Sequence, residues 1–113
     1  MLLNAIEQGT LLDIGTGHGR LLLEISKLNP KVELYGIDIS EKMSECARIN
    51  LSNINIDLKL GNINHTNFDN EFFDIITCTG SFYLWNTPIE GLNEIFRILK
   101  PNKTAILFET YIE

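Results

Sequence analysis

The sequence predicts an α/β domain: a doubly wound, mostly parallel sheet with helices on both faces. Three observations carry that reading. Short apolar runs bounded by Gly, Pro or Asp recur along the chain, as buried strands do. Stretches with apolar residues three and four apart lie between them. The two kinds alternate, about five of the first with three or four of the second, and such alternation implies parallel strands joined by right-handed crossovers.

The elements follow in order. Thr10–Ile14 is an apolar run between Gly9 and Gly15 and reads as a buried strand. From Gly19 to Leu28, Leu21, Leu22, Ile25 and Leu28 have helical spacing, and Asn29-Pro30 ends the helix. Val32–Ile37 is a second strand, closed by Asp38. Ser40 is an N-cap for a helix over Glu41–Leu51, with Met43, Ala47 and Leu51 on one face. Ile54, Ile56, Leu58 and Leu60 alternate with polar residues, which places a half-buried strand at an edge of the sheet. Gly61–Asn70 is a polar loop and Phe72–Cys78 an apolar strand. Thr87-Pro88-Ile89-Glu90 predicts a helix start with a Thr cap, Pro in the first turn and a capping-box Glu. Ile89, Leu92, Ile95, Phe96 and Leu99 form that helix's apolar face. Lys100-Pro101-Asn102 stops it, and Thr104–Glu109 is the last strand. No linker or repeat divides residues 1–113, a length suited to one small domain.

Composition narrows the function. Hydrophobic residues make up 44% and charged residues 21%, as in a globular chain. The net charge is -6 and the pI about 4.8, with Lys and Arg scattered, so the basic footprint of a nucleic-acid binder is missing. No apolar run approaches the ~20 residues of a membrane span. The start "MLLNAIEQGT" lacks the pattern of a signal peptide. A cytoplasmic protein, free of membrane and nucleic acid, is the expectation. Cys46 and Cys78 have no zinc spacing and are expected as reduced, mostly buried thiols; no metal site is expected.

In an open parallel sheet, ligands bind beyond the carboxyl ends of the strands. Here those ends carry Asp13-Ile14-Gly15-Thr16-Gly17, Asp38-Ile39, Gly61-Asn62-Ile63 and Cys78-Thr79-Gly80. Several segments thus supply polar and small residues to one rim. The first contains three glycines, "LLDIGTGHGR", and glycine there implies close approach to bare backbone. The dinucleotide pattern G-x-G-x-x-G fails, because from Gly15 its third position falls on Arg20; no Gly-Lys-Ser/Thr follows for a phosphate loop either. Asp38, 19 residues after Gly19, is placed to accept two hydrogen bonds from a ribose diol. The competing reading is an acid favoured at a helix N-terminus.

With these residues in hand, the chain resembles the class I S-adenosylmethionine-dependent methyltransferases of the broad small-molecule group. "LLDIGTGHG" is similar to the family's glycine motif, and "GIDIS" followed by Lys42-Met43 to its acidic loop. "TNFDNEFFDIITC" resembles the approach to the fourth strand, and "LNEIFRILKPNK" the helix and turn before the fifth. The resemblance implies a Rossmann-like core with strand order 3-2-1-4-5 and S-adenosylmethionine as cofactor. It implies that Gly15, Thr16, Gly17 and Gly19 let backbone approach the methionine part, with Asp13 holding that loop and the amino-acid end. Asp38 would bind the ribose hydroxyls. Ile39 would pack on the adenine face with Met43 near it, Asn62 and Ile63 would meet the adenine edge, and Thr79 would lie near the methionine end.

The chain departs from the family pattern at single positions and, more largely, at its ends. Asn62 stands where Asp is usual and accepts without charge. Asn102-Lys103 replaces the usual Gly-Gly, and Asn tolerates the left-handed conformation. The family usually continues past the fifth strand, so "TAILFETYIE" would form an exposed apolar edge, and such edges tend to pair. A shortened chain, a partner chain over the edge, or self-association through it would each account for this.

Methyl transfer needs alignment and exclusion of water more than a dedicated catalytic group. His18, His65 and Tyr83 are candidates for a base, and Phe82, Tyr83 and Trp85 for substrate contact. The expected function is methyl transfer to a small-molecule acceptor. The rivals are a cofactor-binding module without catalysis and a nicotinamide-dependent oxidoreductase, which Arg20 and Asp13 disfavour.

Overall fold

The computed structural model describes residues 8–79 and 87–108. Five strands form one parallel sheet in the order β3-β2-β1-β4-β5. They are β1 (Gly9–Ile14), β2 (Val32–Asp38), β3 (Ile56–Leu60), β4 (Phe73–Thr79) and β5 (Leu99–Phe108). The helices are α1 (Arg20–Leu28), α2 (Glu41–Asn50) and α3 (Pro88–Ile98). The doubly wound architecture and strand order stand as expected, with β3 at one edge and β5 at the other.

Side-chain alternation along the strands gives the sheet two cores. On one face Leu11, Leu34 and Ile75 pack with Leu22 and Ile25 of α1 and with Ala47 and Leu51. On the other, Leu12, Ile14, Ile37 and Ile76 pack with Ile95 and Ile98 of α3. Among the described residues, no helix packs over β2 on the second face. There the loop after β3 lays Phe68 and Phe72 against Tyr35 and Phe73 in edge-to-face contacts, with centroids 4.9–6.1 Å apart. Such pairs add roughly 0.5–1.5 kcal/mol beyond their buried area.

Three local expectations change. Phe96 and Ile89 are 84% and 71% exposed. The sheet-facing stripe of α3 is Gly91, Ile95 and Ile98, four and three residues apart, and Phe96 lies off it. Leu99 is not helical: it pairs with Phe73, and β5 begins there rather than at Thr104. The next registered pair beyond it is Ile75 with Thr104, so residues 100–103 bulge, and Asn102 takes φ +63° as the left-handed turn requires. The capping box at Thr87 does not form. Its hydroxyl donates to Glu90 Oε2 at 3.4 Å and accepts from Asn64 Nδ2, leaving the α3 amides without a side-chain cap. Cys78 is buried and Cys46 half-buried.

Candidate functional site at the carboxyl rim of the sheet

The loop after β1 needs its glycines. Gly15, Gly17 and Gly19 have φ of +74°, +58° and +88°, in the region where only glycine is unstrained. A Cβ on Gly19 would also stand 2.7 Å from Leu51 Cδ1, so this glycine lets α1 approach the end of α2. A Cβ on Gly17 would meet only the Gly15 carbonyl at 3.9 Å, which leaves the loop open on the rim side. The end of β2 holds the loop from below: Gly15 N and Thr16 N donate to Ile37 O at 2.8 and 3.3 Å. Thr16 is turned inward, its hydroxyl donating to Asp13 O at 3.2 Å. Helix α1 starts from Gly19 with no side-chain cap, so its first amides face the rim unsatisfied by side chains.

Asp13 lies beneath this loop, 1% exposed, and its register partners are Gly36 on β2 and Thr77 on β4. Thr77 Oγ1 donates to Asp13 Oδ1 at 2.8 Å. Burial pushes the carboxyl up to about 7; the Thr77 bond opposes the rise and the Asp38 charge adds to it. Gly36, which sequence reasoning passed over, makes the packing possible. A Cβ there would lie 2.5 Å from Thr16 Oγ1 and 2.9 Å from Leu58 Cδ2. A glycine inside an apolar strand was the available signal.

Asp38 sits at the rim, half-buried. Its Oδ2 accepts Gly17 N and its Oδ1 accepts Ser40 N, both at 2.8 Å. One carboxylate thus ties the glycine loop to the start of α2. The competing reading, an acid favoured at a helix N-terminus, also fits, since Asp38 Oδ1 meets the start of α2; the cap itself comes from Ser40, whose Oγ accepts Met43 N at 3.1 Å. Beside it Ile39 is 68% exposed and Met43 half-buried.

The loop after β3 forms the next wall. Gly61 N donates to Asp38 O at 2.9 Å, which brings Asn62 next to the end of β2. Asn62 is exposed, its Oδ1 accepting Asn64 N at 2.9 Å. Ile63 is buried in the α3-side core, so only its main chain can meet a ligand. Thr66 and Asn70 are held by Glu94 and Arg97 of α3, a pair that no motif marks. The Arg97 hydrogen bonds hold the Glu94 carboxyl down at about 2; burial opposes them and Thr66 assists.

Thr79 ends β4, paired with Phe108. Phe82, Tyr83 and Trp85 lie outside the described residues. His18 and His65 are exposed, and the His18 carbonyl accepts Asn50 Nδ2 at 2.9 Å. Two depressions lie away from the rim. One of about 460 Å³ follows β3 between Arg48 and Leu58, and one of about 390 Å³ lies near Pro30 and Asn55. Neither collects the groups of the rim. Among the described residues, no helix is long and apolar enough to cross a membrane.

The rim therefore gathers an open glycine turn, an uncapped helix start, a carboxylate at the end of β2, an exposed aliphatic side chain and an amide side chain. Residues 11–102 match the family model described as a methyltransferase domain. The uncharacterized methyltransferase YdaC of Bacillus subtilis is 29% identical over 98 residues, covering 87% of this chain and 54% of that protein. A solved S-adenosylmethionine-dependent methyltransferase from Methanococcus maripaludis superimposes with a TM-score of 0.86 at 28% identity, covering 92% of this chain and 49% of that one. The plantazolicin methyltransferase BpumL, solved with a desmethyl substrate analogue and S-adenosylhomocysteine, gives 0.78 at 33% identity, with coverage of 87% and 38%. The chain spans about half the length of such relatives. By its sequence, strand order and the family match, the chain belongs to the class I S-adenosylmethionine-dependent methyltransferases.

Proposed function

We propose that this chain binds S-adenosylmethionine across the carboxyl rim and directs its methyl group to a small-molecule acceptor. The observation that carries the reading is the Asp38 carboxylate, fixed between the glycine loop and α2 with Asn62 one strand away. In this reading the open backbone at Gly15, Gly17 and Gly19 receives the methionine tail, and Asp13 supports the loop from below. Asp38 accepts the ribose hydroxyls, exchanging its present bonds to Gly17 N and Ser40 N. Ile39 covers the adenine face with Met43 behind it. Asn62 and the Ile63 main chain meet the adenine edge, and Thr79 lies near the methionine end.

The bound cofactor would supply a methyl group on a sulfonium leaving group. The chain's own task is then to fix the donor, align it with the acceptor and keep water out. The complex of BpumL with a desmethyl analogue and S-adenosylhomocysteine supports the choice of cofactor.

Calorimetry with S-adenosylmethionine, S-adenosylhomocysteine and NAD tests the reading. Saturable heat with the first two is expected, and heat from NAD alone overturns it. Incubation with methyl-labelled cofactor and a metabolite panel then tests transfer. A labelled product is expected, whereas firm cofactor binding with no transfer favours a binding module.

A further inference from the structure

Helix α3 carries a charged pair whose bonds leave the helix. Arg97 Nε and Nη2 donate to Glu94 Oε1 and Oε2 at 2.7 and 2.8 Å, a two-pronged contact that fixes both side chains. Glu94 Oε2 also accepts Thr66 N at 2.9 Å and Thr66 Oγ1 at 2.5 Å. Arg97 Nη1 donates to Asn70 Oδ1 at 2.7 Å. The main chain of the same helical turn accepts too: Glu71 N donates to Arg97 O at 2.9 Å and Phe72 N to Ile98 O at 2.8 Å. The Glu94 side chain is 12% exposed. These bonds converge on the far half of the loop whose near half carries Asn62 and Ile63. The near half is held by Gly61 N on Asp38 O and by the turn in which His65 N donates to Asn62 O at 3.1 Å. The loop has no helix or strand of its own between Gly61 and Phe72, so its shape depends on these anchorages together with the packing of Ile63, Phe68 and Phe72 and the contact of Asn64 with Thr87.

We propose that Glu94 and Arg97 are positioning residues for the cofactor site: from α3 they clamp the loop that presents Asn62 and Ile63 to the adenine. This rests on the cofactor reading above. Neither residue touches the ligand. They set the backbone from which the adenine edge is met. Charge-assisted bonds suit this task, because a loop without secondary structure must be held by side chains if it is to be preformed.

The test is calorimetry on the full chain with S-adenosylhomocysteine and with its analogue in which hypoxanthine replaces adenine. Four proteins are compared: the wild type, Glu94→Ala, Arg97→Lys and Asp74→Ala. Asp74 binds Thr10 N and Lys100 at the amino end of the sheet, so its variant controls for general loss of stability. We expect Glu94→Ala to weaken S-adenosylhomocysteine at least about tenfold, equal to about 1.4 kcal/mol, and to narrow the preference for adenine over hypoxanthine. Asp74→Ala should change neither. Arg97→Lys keeps the cation but loses the two-pronged contact; it should show the same narrowing and decides the matter if Glu94→Ala does not fold. Unchanged affinity and preference in the clamp variants overturn the proposal, as does a loss no larger than that of Asp74→Ala. A wild-type chain that binds neither ligand refutes the cofactor reading itself, a different and distinguishable failure.

Discussion

Asp13 offers a prediction that the structure makes quantitative. A carboxyl 1% exposed, with Thr77 Oγ1 as its hydroxyl donor, has its pKa raised from 3.8 to about 7. The folded domain therefore holds this proton more tightly than the unfolded chain. The resulting stability is fully present below pH 3.8. It is lost as pH rises from there through about 7, and is flat above. A difference of about three units at about 1.4 kcal/mol each is about 4 kcal/mol, a large share of the ~5–15 kcal/mol that stabilises a typical domain. Asp13→Asn removes the titration and keeps an acceptor for Thr77. Urea unfolding of both proteins, from about pH 4.5 to about pH 7.5, isolates the effect in their difference. That difference should move by about 3 kcal/mol in the variant's favour as pH rises. A constant difference across the range would mean that Asp13 ionises as freely folded as unfolded.

Other perturbations follow from single contacts. Gly36→Ala places a Cβ against Thr16 Oγ1 and Leu58 and should cost about 1–3 kcal/mol in urea unfolding; an unchanged midpoint would mean the strand has room. Ser44 is 5% exposed and its Oγ has no partner. Ser44→Ala should therefore stabilise by about 1 kcal/mol, and a lower melting temperature would argue against it. Glu94 has its pKa lowered from 4.5 to about 2, so its contribution is present above pH 4.5 and lost as pH falls toward 2. Acid unfolding of Glu94→Ala should accordingly be less steep over that interval, and an identical acid limb would contradict the clamp's strength.

The strands were legible because fully buried strands are nearly continuous apolar runs, as in Leu11–Ile14 and Ile75–Cys78. The rim was legible for a related reason: parallel strands all end on one side, so Asp13, Asp38 and Asn62 had to gather there once the alternation was accepted. Periodicity could not say how much of a wide apolar stripe the sheet would cover, and Phe96 fell outside it. Leu99 has helical spacing, but its pairing with Phe73 is a tertiary fact that overrides it. The contacts that shape the site are the least legible. Thr77 faces Asp13 only through strand register, and Glu94 reaches Thr66 across 28 positions of sequence. Asp38 was expected to be waiting for a ribose; in the structure its oxygens already bind the glycine loop and α2.

Backbone amide shift mapping on titration with S-adenosylhomocysteine tests the central claim, that this rim holds the methyl donor. Saturable shifts are expected at Gly15–Gly19, at Asp38–Ser40 and at Asn62–Ile63, with Asp38→Ala weakening the same titration at least about tenfold. Shifts centred instead on the groove between Arg48 and Leu58, or no shifts at all, would contradict it.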